Sequence, residues 1–126
     1  MLKEVISKGG VSMPDLISNI VYVFALQIKR LLGEDLSNII VYGSYARGDY
    51  HDSSDVDVMI ITKLSDAEIK MIDTQIYDLA YDIELEKGIH ISVVIKNEEH
   101  FKYWEDTLPF YRNVRREGVA INAEYG

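Results

Sequence analysis

Two aspartates alternate with valines in VYGSYARGDYHDSSDVDVMI, residues 41–60. Residues i and i+2 of a strand share a face and lie roughly 6.6 Å apart, so Asp55 and Asp57 would point the same way and Val56 and Val58 the other. A carboxylate in an apolar strand costs free energy unless a cation, a donor or water receives it. Two such carboxylates suit a hard divalent cation, Mg²⁺ or Mn²⁺, whose remaining ligands are often phosphate oxygens. The spacing predicts a metal site at Asp55 and Asp57.

A candidate phosphate-binding turn precedes the aspartates. Gly43 follows an apolar segment and lets the backbone approach a ligand closely. Ser44 offers a hydroxyl and an amide at the start of a short predicted helix, where free amides attract anions. Arg47 adds a fork of donors that matches phosphate oxygens. A Gly-Ser pair after a strand is usually only a turn, but together with the acidic pair it predicts a site for a metal-bound triphosphate.

Apolar spacing and capping signals predict four helices and three strands. In chain order we expect a helix from Pro14 to Gly33, strands over 38–42 and 55–62, a helix from Ser65 to about 86, a strand over 89–95, a helix from Asn97 to about 106, and a helix from Pro109 to about 118. This order predicts the α+β (mixed α/β) class, a small mixed sheet with helices packed on it, and not a repeating βαβ series. The length of 126 residues predicts one domain over 1–126.

Composition narrows the classes of function. The net charge of −8 argues against nonspecific nucleic-acid binding, which depends on neutralising phosphates. An anionic ligand would therefore need a metal or well-placed basic groups. The chain has no cysteine and hence no disulfide or thiolate metal site. The apolar run over 20–26 is too short to span a bilayer, and the first ten residues do not read as a signal peptide. We expect a cytoplasmic protein with no membrane partner.

The motif resembles a known signature. Gly43-Ser44, ten residues, then Asp55-Val56-Asp57 is similar to the signature of the DNA polymerase beta-like nucleotidyltransferase superfamily, and GSYARGDYHDSSDVDV is most similar to its minimal (MNT-type) members. The resemblance implies an enzyme that transfers a nucleoside monophosphate from a nucleoside triphosphate such as ATP to an acceptor, with Mg²⁺ or Mn²⁺ as cofactor. It also implies that Gly43, Ser44 and Arg47 bind the triphosphate, and that Asp55 and Asp57 bind the catalytic metals.

The resemblance also implies a partner. Minimal nucleotidyltransferases act as antitoxins in HEPN–MNT toxin–antitoxin pairs by adding AMP to a tyrosine of the HEPN toxin. Other superfamily members modify small molecules such as aminoglycosides. A third alternative is an antitoxin that binds nucleotide or partner without catalysis. The residues leave the acceptor open, and they leave open whether the protein forms a homo- or hetero-oligomer.

One position departs from the family pattern. Members usually carry a third carboxylate on the next strand, and in GIHISVVI (residues 88–95) His90 stands at that position, with Ser92 on the same face. A neutral imidazole can accept a proton from an attacking hydroxyl near neutral pH, although it is a poorer Mg²⁺ ligand than a carboxylate. His90 is therefore a candidate catalytic residue, or else a sign that catalysis has been lost.

Two clusters towards the end of the chain are less specific. For the aromatic cluster, core or interface packing is favoured over ligand binding. The basic cluster is either a solvated helix face or a contact for an acidic partner or the nucleotide. The aromatic residues are Tyr103, Trp104, Phe110 and Tyr111, and the basic residues are Arg112, Arg115 and Arg116.

Overall fold

The computed structural model describes residues 5–6 and 13–121. These residues form one five-stranded mixed sheet of order β1-β5-β2-β3-β4, in which β3 and β4 are parallel and the other neighbours antiparallel. The α+β prediction is confirmed. The elements are β1 (Val5–Ile6), α1 (Asp15–Leu32), β2 (Leu36–Tyr42), α2 (Ser44–Arg47), β3 (Val56–Thr62), α3 (Asp66–Lys87), β4 (Ile91–Asn97), α4 (Glu98–Trp104), α5 (Pro109–Glu117) and β5 (Val119–Ile121).

Local signals explain the ends of the longer helices. A capping box marks the start of α3 at the predicted Ser65, where the Ser65 hydroxyl accepts from the Glu68 amide and the Glu68 carboxylate accepts from the Ser65 amide. Asn97 caps α4 through the amide of His100, as predicted. Gly33 and Gly88 follow the last residues of α1 and α3. These side-chain signals act within a few residues, so the sequence alone reveals them.

Different helices pack on the two faces of the sheet. Val56 and Val58 lie on the face opposite Asp57, as predicted, and with Ile60 they are fully buried in the cluster that α1 and α3 build. The opposite face is also covered, because Met59 and Ile61 lie in a second buried cluster with residues of α4 and α5. The face that carries Asp57 is therefore apolar along most of its length and becomes polar only at one end.

Several predicted boundaries were wrong. The strand predicted over 89–95 is Ile91–Asn97, and the helix predicted to about 106 ends at Trp104. The strand predicted over 55–62 begins at Val56, and α1 begins at Asp15, one residue after Pro14. The sequence did not predict β5 or β1. These strands have three and two residues and are defined by pairing with β2 and with each other, so no internal periodicity marks them.

Helix α1 contains a longer apolar stretch than the run over 20–26 considered in the sequence analysis. By length and composition alone, Asp15–Asp35 is long and apolar enough to cross a membrane, with a mean hydropathy of 1.3. Val21, Phe24 and Ile28 are nevertheless fully buried in the cluster between α1, α3 and the sheet. This packing is that of the core helix of a folded domain.

Candidate active site

Asp57 lies in the middle of three strands at the polar end of the sheet. It pairs with Tyr42 on β2 and with Ser92 on β4, and Asp55 directly precedes β3 on the same face. Asp55 is exposed, whereas Asp57 is half-buried. Burial, followed by the charge of Asp55, raises the pKa of the Asp57 carboxyl above its ordinary value of 3.8. An additional positive charge at this point would stabilise both carboxylates.

Gly43 brings the Gly-Ser turn into contact with Asp57. Its φ angle is +74°, a conformation that residues with a Cβ rarely adopt. A Cβ built on Gly43 would overlap the Asp57 Oδ2 atom and lie 3.1 Å from Asp57 Cγ. The absent side chain therefore leaves the space that the Asp57 carboxylate occupies. The structure brings the two halves of the predicted motif together.

Helix α2 positions Ser44 and Arg47. It begins at Ser44, as predicted, and its middle residues Tyr45 and Ala46 are buried at 5% and 3% exposure. The ring of Tyr50 stacks on Tyr45 with centroids 4.7 Å apart. This anchoring holds the first and last residues of the helix at the mouth of a cleft.

The cleft has a volume of about 640 Å³ and unites most of the predicted site with a wall that the sequence did not predict. Four predicted residues line it, and the new wall is contributed by α5. For Phe110, core or interface packing was favoured over ligand binding; the side chain is 44% exposed and lines the cleft, so it is not a core residue. The sequence signal that could have revealed this wall is the spacing of three or four residues, which places Phe110, Asn113 and Glu117 on one side of α5. The lining residues are Tyr42, Gly43, Ser44, Arg47, Asp57, Phe110, Asn113, Val114 and Glu117.

Arg47 is shared by two carboxylates, that of the nearby Asp49 and that of Glu117 on the opposite wall of the cleft. Its Nε donates to Asp49 Oδ2 at 3.2 Å, and its Nη1 lies 3.5 Å from Glu117 Oε2 on α5. These hydrogen bonds, that of Asp49 first, raise the pKa of the guanidinium. A phosphate entering the cleft would have to compete with both carboxylates for Arg47.

Tyr42 forms part of the floor of the cleft. Its burial and the neighbouring charge of Asp57 raise the pKa of its hydroxyl to about 12. Its ring packs edge-on against Phe110 with centroids 5.6 Å apart. Tyr42 is therefore neutral at physiological pH and links the β2–β3 floor to α5.

His90 lies beside the cleft rather than in its lining. Its carbonyl accepts from the Val56 amide at 2.9 Å, which extends the β3–β4 register and places His90 beside Asp55. The ring Nδ1 lies 2.7 Å from Glu84 Oε1, where Nδ1–H donates to the carboxylate. This bond first, then the charges of Glu84, Asp55 and Asp57, raises the pKa of the imidazole above 6.5. The predicted neutral imidazole thus requires a pH above that raised value.

Comparison with known proteins identifies the family. The chain matches the family described as "Nucleotidyltransferase domain" over residues 24–120. This chain belongs to the nucleotidyltransferase domain family. Two candidate protein adenylyltransferases of Methanocaldococcus jannaschii are similar in sequence. MJ0604 is 35% identical over 98 residues, which are 78% of this chain and 90% of that protein. MJ0141 is 39% identical over 71 residues, which are 53% and 72% of the two chains.

Solved structures show more distant similarity. A mutant of the toxin–antitoxin MntA–HpeT aligns with a TM-score of 0.49 and 14% identity, covering 82% of this chain and 73% of that one. A candidate nucleotidyltransferase from Sulfolobus solfataricus aligns with a TM-score of 0.43 and 20% identity, covering 89% and 90%. The family match and the sequence relatives, rather than these distant structures, support the assignment.

The donor set of this nucleotidyltransferase fits a metal that arrives with its nucleotide. Among residues 5–6 and 13–121, no group of three or more His, Cys, Asp or Glu side chains is placed to hold a metal ion. Asp55 and Asp57 provide two hard oxygen donors. Mg²⁺ commonly takes one or two carboxylates and completes its octahedron with water and phosphate oxygens. The pair therefore fits Mg²⁺ or Mn²⁺ bound together with a triphosphate.

Replacing Glu117 by glutamine is expected to tighten triphosphate binding severalfold, because it removes one carboxylate that competes for Arg47 and reduces the negative charge of the cleft. The measurement is calorimetric titration of the nucleotidyltransferase with inorganic tripolyphosphate and Mg²⁺. Glu105→Gln, a change outside the cleft lining, serves as the charge-matched control. Weaker binding by the Glu117→Gln variant would show instead that Glu117 holds Arg47 in its binding position.

Replacing Glu84 by glutamine is expected to shift the acid limb of the pH–rate profile to lower pH. The carboxylate raises the pKa of His90, so its loss lets the imidazole become neutral at a lower pH. With His90 as proton acceptor, the rate falls as pH falls through that pKa. The profile of kcat/KM between pH 5.5 and 9 tests this, with His90→Gln as the variant that removes the limb. An unchanged limb in Glu84→Gln would exclude His90 as the titrating group.

Proposed function

We propose that this nucleotidyltransferase transfers AMP from ATP to a hydroxyl group of a protein partner. The observation that carries the proposal is the contact between Gly43 and the Asp57 carboxylate in a cleft that Ser44 and Arg47 also line. A cation-binding carboxylate and phosphate donors in one cleft suit a metal–triphosphate. The description of the relatives at 35% and 39% identity as candidate protein adenylyltransferases supports AMP as the group transferred and protein as the acceptor.

The chain's residues divide the chemistry between them. Asp55 and Asp57 would hold the divalent metal, which when bound neutralises charge on the triphosphate. Ser44 and Arg47 bind its phosphate oxygens and aim the α-phosphorus at the acceptor. The acceptor oxygen forms a bond to that phosphorus, the bond to the bridging oxygen of the β-phosphate breaks, and pyrophosphate leaves. His90, held by Glu84, takes the acceptor's proton at a pH above its raised pKa.

We propose a HEPN-type toxin as the partner, with one of its tyrosines as the acceptor and this protein as its antitoxin in the cytoplasm. The support is the resemblance of the motif to minimal nucleotidyltransferases. The sheet, its two buried clusters and the cleft use most of the described chain, so a partner that presents its own hydroxyl needs no additional acceptor domain. Residues 1–126 act in this proposal as one domain, within a homo- or hetero-oligomer.

The test is transfer of label from ATP in the presence of Mg²⁺, with lysate of the native host and a co-expressed HEPN candidate as acceptors. We expect label from α-labelled ATP, but not from γ-labelled ATP, in one protein band. The band should gain the mass of an adenylyl group on tyrosine and should be lost with Asp57→Asn. Label only in aminoglycosides supplied as acceptors would support the small-molecule alternative. Label from γ-labelled ATP would contradict nucleotidyl transfer.

One observation favours a second candidate, a binding antitoxin without transfer. No third carboxylate joins Asp55 and Asp57 in the described ranges, and His90 is instead bound to Glu84. Under this alternative, neutralisation of the partner survives the double change Asp55→Ala and Asp57→Ala. Under adenylylation the double variant loses neutralisation together with transfer.

A further inference from the structure

The two ends of the cleft differ in chemistry. Glu117 and Phe110 lie seven residues apart on α5, which is about 10.5 Å along a helix. At the Glu117 end stands Arg47, with its Nη1 3.5 Å from Glu117 Oε2. At the Phe110 end stands the ring of Tyr42, 5.6 Å from the Phe110 ring and at 84° to it. A ligand lying along α5 would therefore place its anionic part at one end and meet aromatic surface at the other.

Phe110 is held in place but not buried. Its neighbours Tyr111 and Val114 fix α5 to the sheet at 6% and 1% exposure. Phe110 lines the cleft and retains 44% exposure, and its edge contact with Tyr42 leaves ring surface open. An exposed aromatic ring in a cleft is a stacking surface for a nucleobase, because every base presents a π face.

Asn113 lies between the two ends on the same side of α5. It lines the cleft one helical turn from Phe110 and one turn from Glu117. An asparagine amide has both a donor and an acceptor, and adenine presents the complementary pair at N6 and N7, whereas guanine presents two acceptors at O6 and N7. An amide that meets the N7 edge of the base would therefore favour adenine over guanine.

We propose that Phe110 and Asn113 form the nucleobase subsite of this enzyme, with Phe110 stacking the base and Asn113 selecting adenine. The inference rests on the proposed function, since it assigns the nucleoside end of the same cleft. The cleft volume of about 640 Å³ lies within the range of small-molecule sites, roughly 300–1,000 Å³. The remaining length of the cleft, towards Ser44 and Arg47, holds the phosphates.

The test is calorimetric titration with Mg²⁺ and three probes: α,β-methylene-ATP, α,β-methylene-GTP and inorganic tripolyphosphate. Phe110→Ala is expected to weaken binding of the ATP analogue about tenfold or more, the loss typical of one base–aromatic stack, while tripolyphosphate binding is unchanged. Phe110→Tyr should restore the affinity. Asn113→Ala should reduce the preference for the ATP over the GTP analogue. Tyr103→Ala, an exposed aromatic on α4 outside the cleft lining, is the matched control and should change neither.

Each other outcome overturns the inference. Unchanged binding of the ATP analogue by Phe110→Ala would exclude stacking. Parallel loss of ATP analogue and tripolyphosphate would show that Phe110 only supports the cleft. Equal affinity of the wild type for the ATP analogue and for tripolyphosphate, with label transfer intact, would refute the subsite and leave nucleotidyl transfer standing. No binding of any probe by the folded wild type would refute the proposed function as well.

Discussion

Replacing Asp57 by asparagine is expected to abolish nucleotidyl transfer and to raise the unfolding temperature of the metal-free protein. Transfer should fall by roughly 10³-fold or more, because Asp57 is a proposed ligand of the metal and its loss would remove several kcal/mol of charge stabilisation. Stability should rise because burial and Asp55 raise the Asp57 pKa, so ionised Asp57 is less favourable in the folded state than in the unfolded chain. Asparagine keeps the shape of the side chain without this charge.

The sign of the pH dependence follows from the same shift. Between the ordinary pKa of 3.8 and the raised folded value, the folded state binds more protons than the unfolded state, so stability falls as pH rises. The stability advantage of Asp57→Asn should therefore be complete above the raised pKa and shrink as pH falls towards 3.8. Thermal melts in chelator across this range, beside a labelled-ATP assay, check both effects. Asp52→Asn, in the exposed loop before β3, should change neither.

A destabilised Asp57→Asn variant that still transfers label would contradict this account, because it would show that the carboxylate supports the fold rather than the chemistry. Added Mg²⁺ and ATP provide a further check. They should stabilise the wild type by binding only its folded state and should stabilise Asp57→Asn much less.

Replacing Gly43 by alanine is expected to reduce transfer by about 10²-fold, the loss typical of a reacting group misplaced by about 1 Å. The new methyl group would overlap Asp57 Oδ2, so either the carboxylate or the start of α2 must move. With φ +74° and ψ −153°, the backbone of Gly43 lies in a region that essentially only glycine adopts, which adds a cost of about 1–3 kcal/mol for a residue with a Cβ. Loss of activity and loss of stability are therefore expected together.

Gly88→Ala separates the two effects. Gly88 has a nearly equal φ of +72°, but a Cβ there would meet nothing within 4 Å. Its ψ of +15° places Gly88 in the left-handed α region, where alanine costs about 1–2 kcal/mol, so this variant should lose less stability than Gly43→Ala and should retain transfer. The measurements are urea unfolding and the initial rate of label transfer for both variants. Equal rates for Gly43→Ala and Gly88→Ala would show that the contact between Gly43 and Asp57 does not serve catalysis.

The amino-acid sequence determined the elements and the motif because their signals are local. Period-two spacing placed Asp55 and Asp57 on one face and Val56 on the other, and the capping box at Ser65 marked the start of α3. The strand ending before Gly43 and the short helix at Ser44 were also visible as residue types and spacing. From these signals the mixed sheet, the Gly-Ser turn and the acidic strand were predictable.

Only the tertiary structure decided what surrounds the motif. Arg47 meets Glu117, 70 residues away, and the His90 ring pairs with Glu84 of the preceding helix. The wall formed by α5 depends on how Tyr111 and Val114 pack against the sheet, which frees Phe110 and its neighbours for the cleft. The α5 contacts follow from packing between distant segments, and the His90–Glu84 contact depends on how the turn after α3 folds back, so neither residue type nor spacing near the motif encodes them.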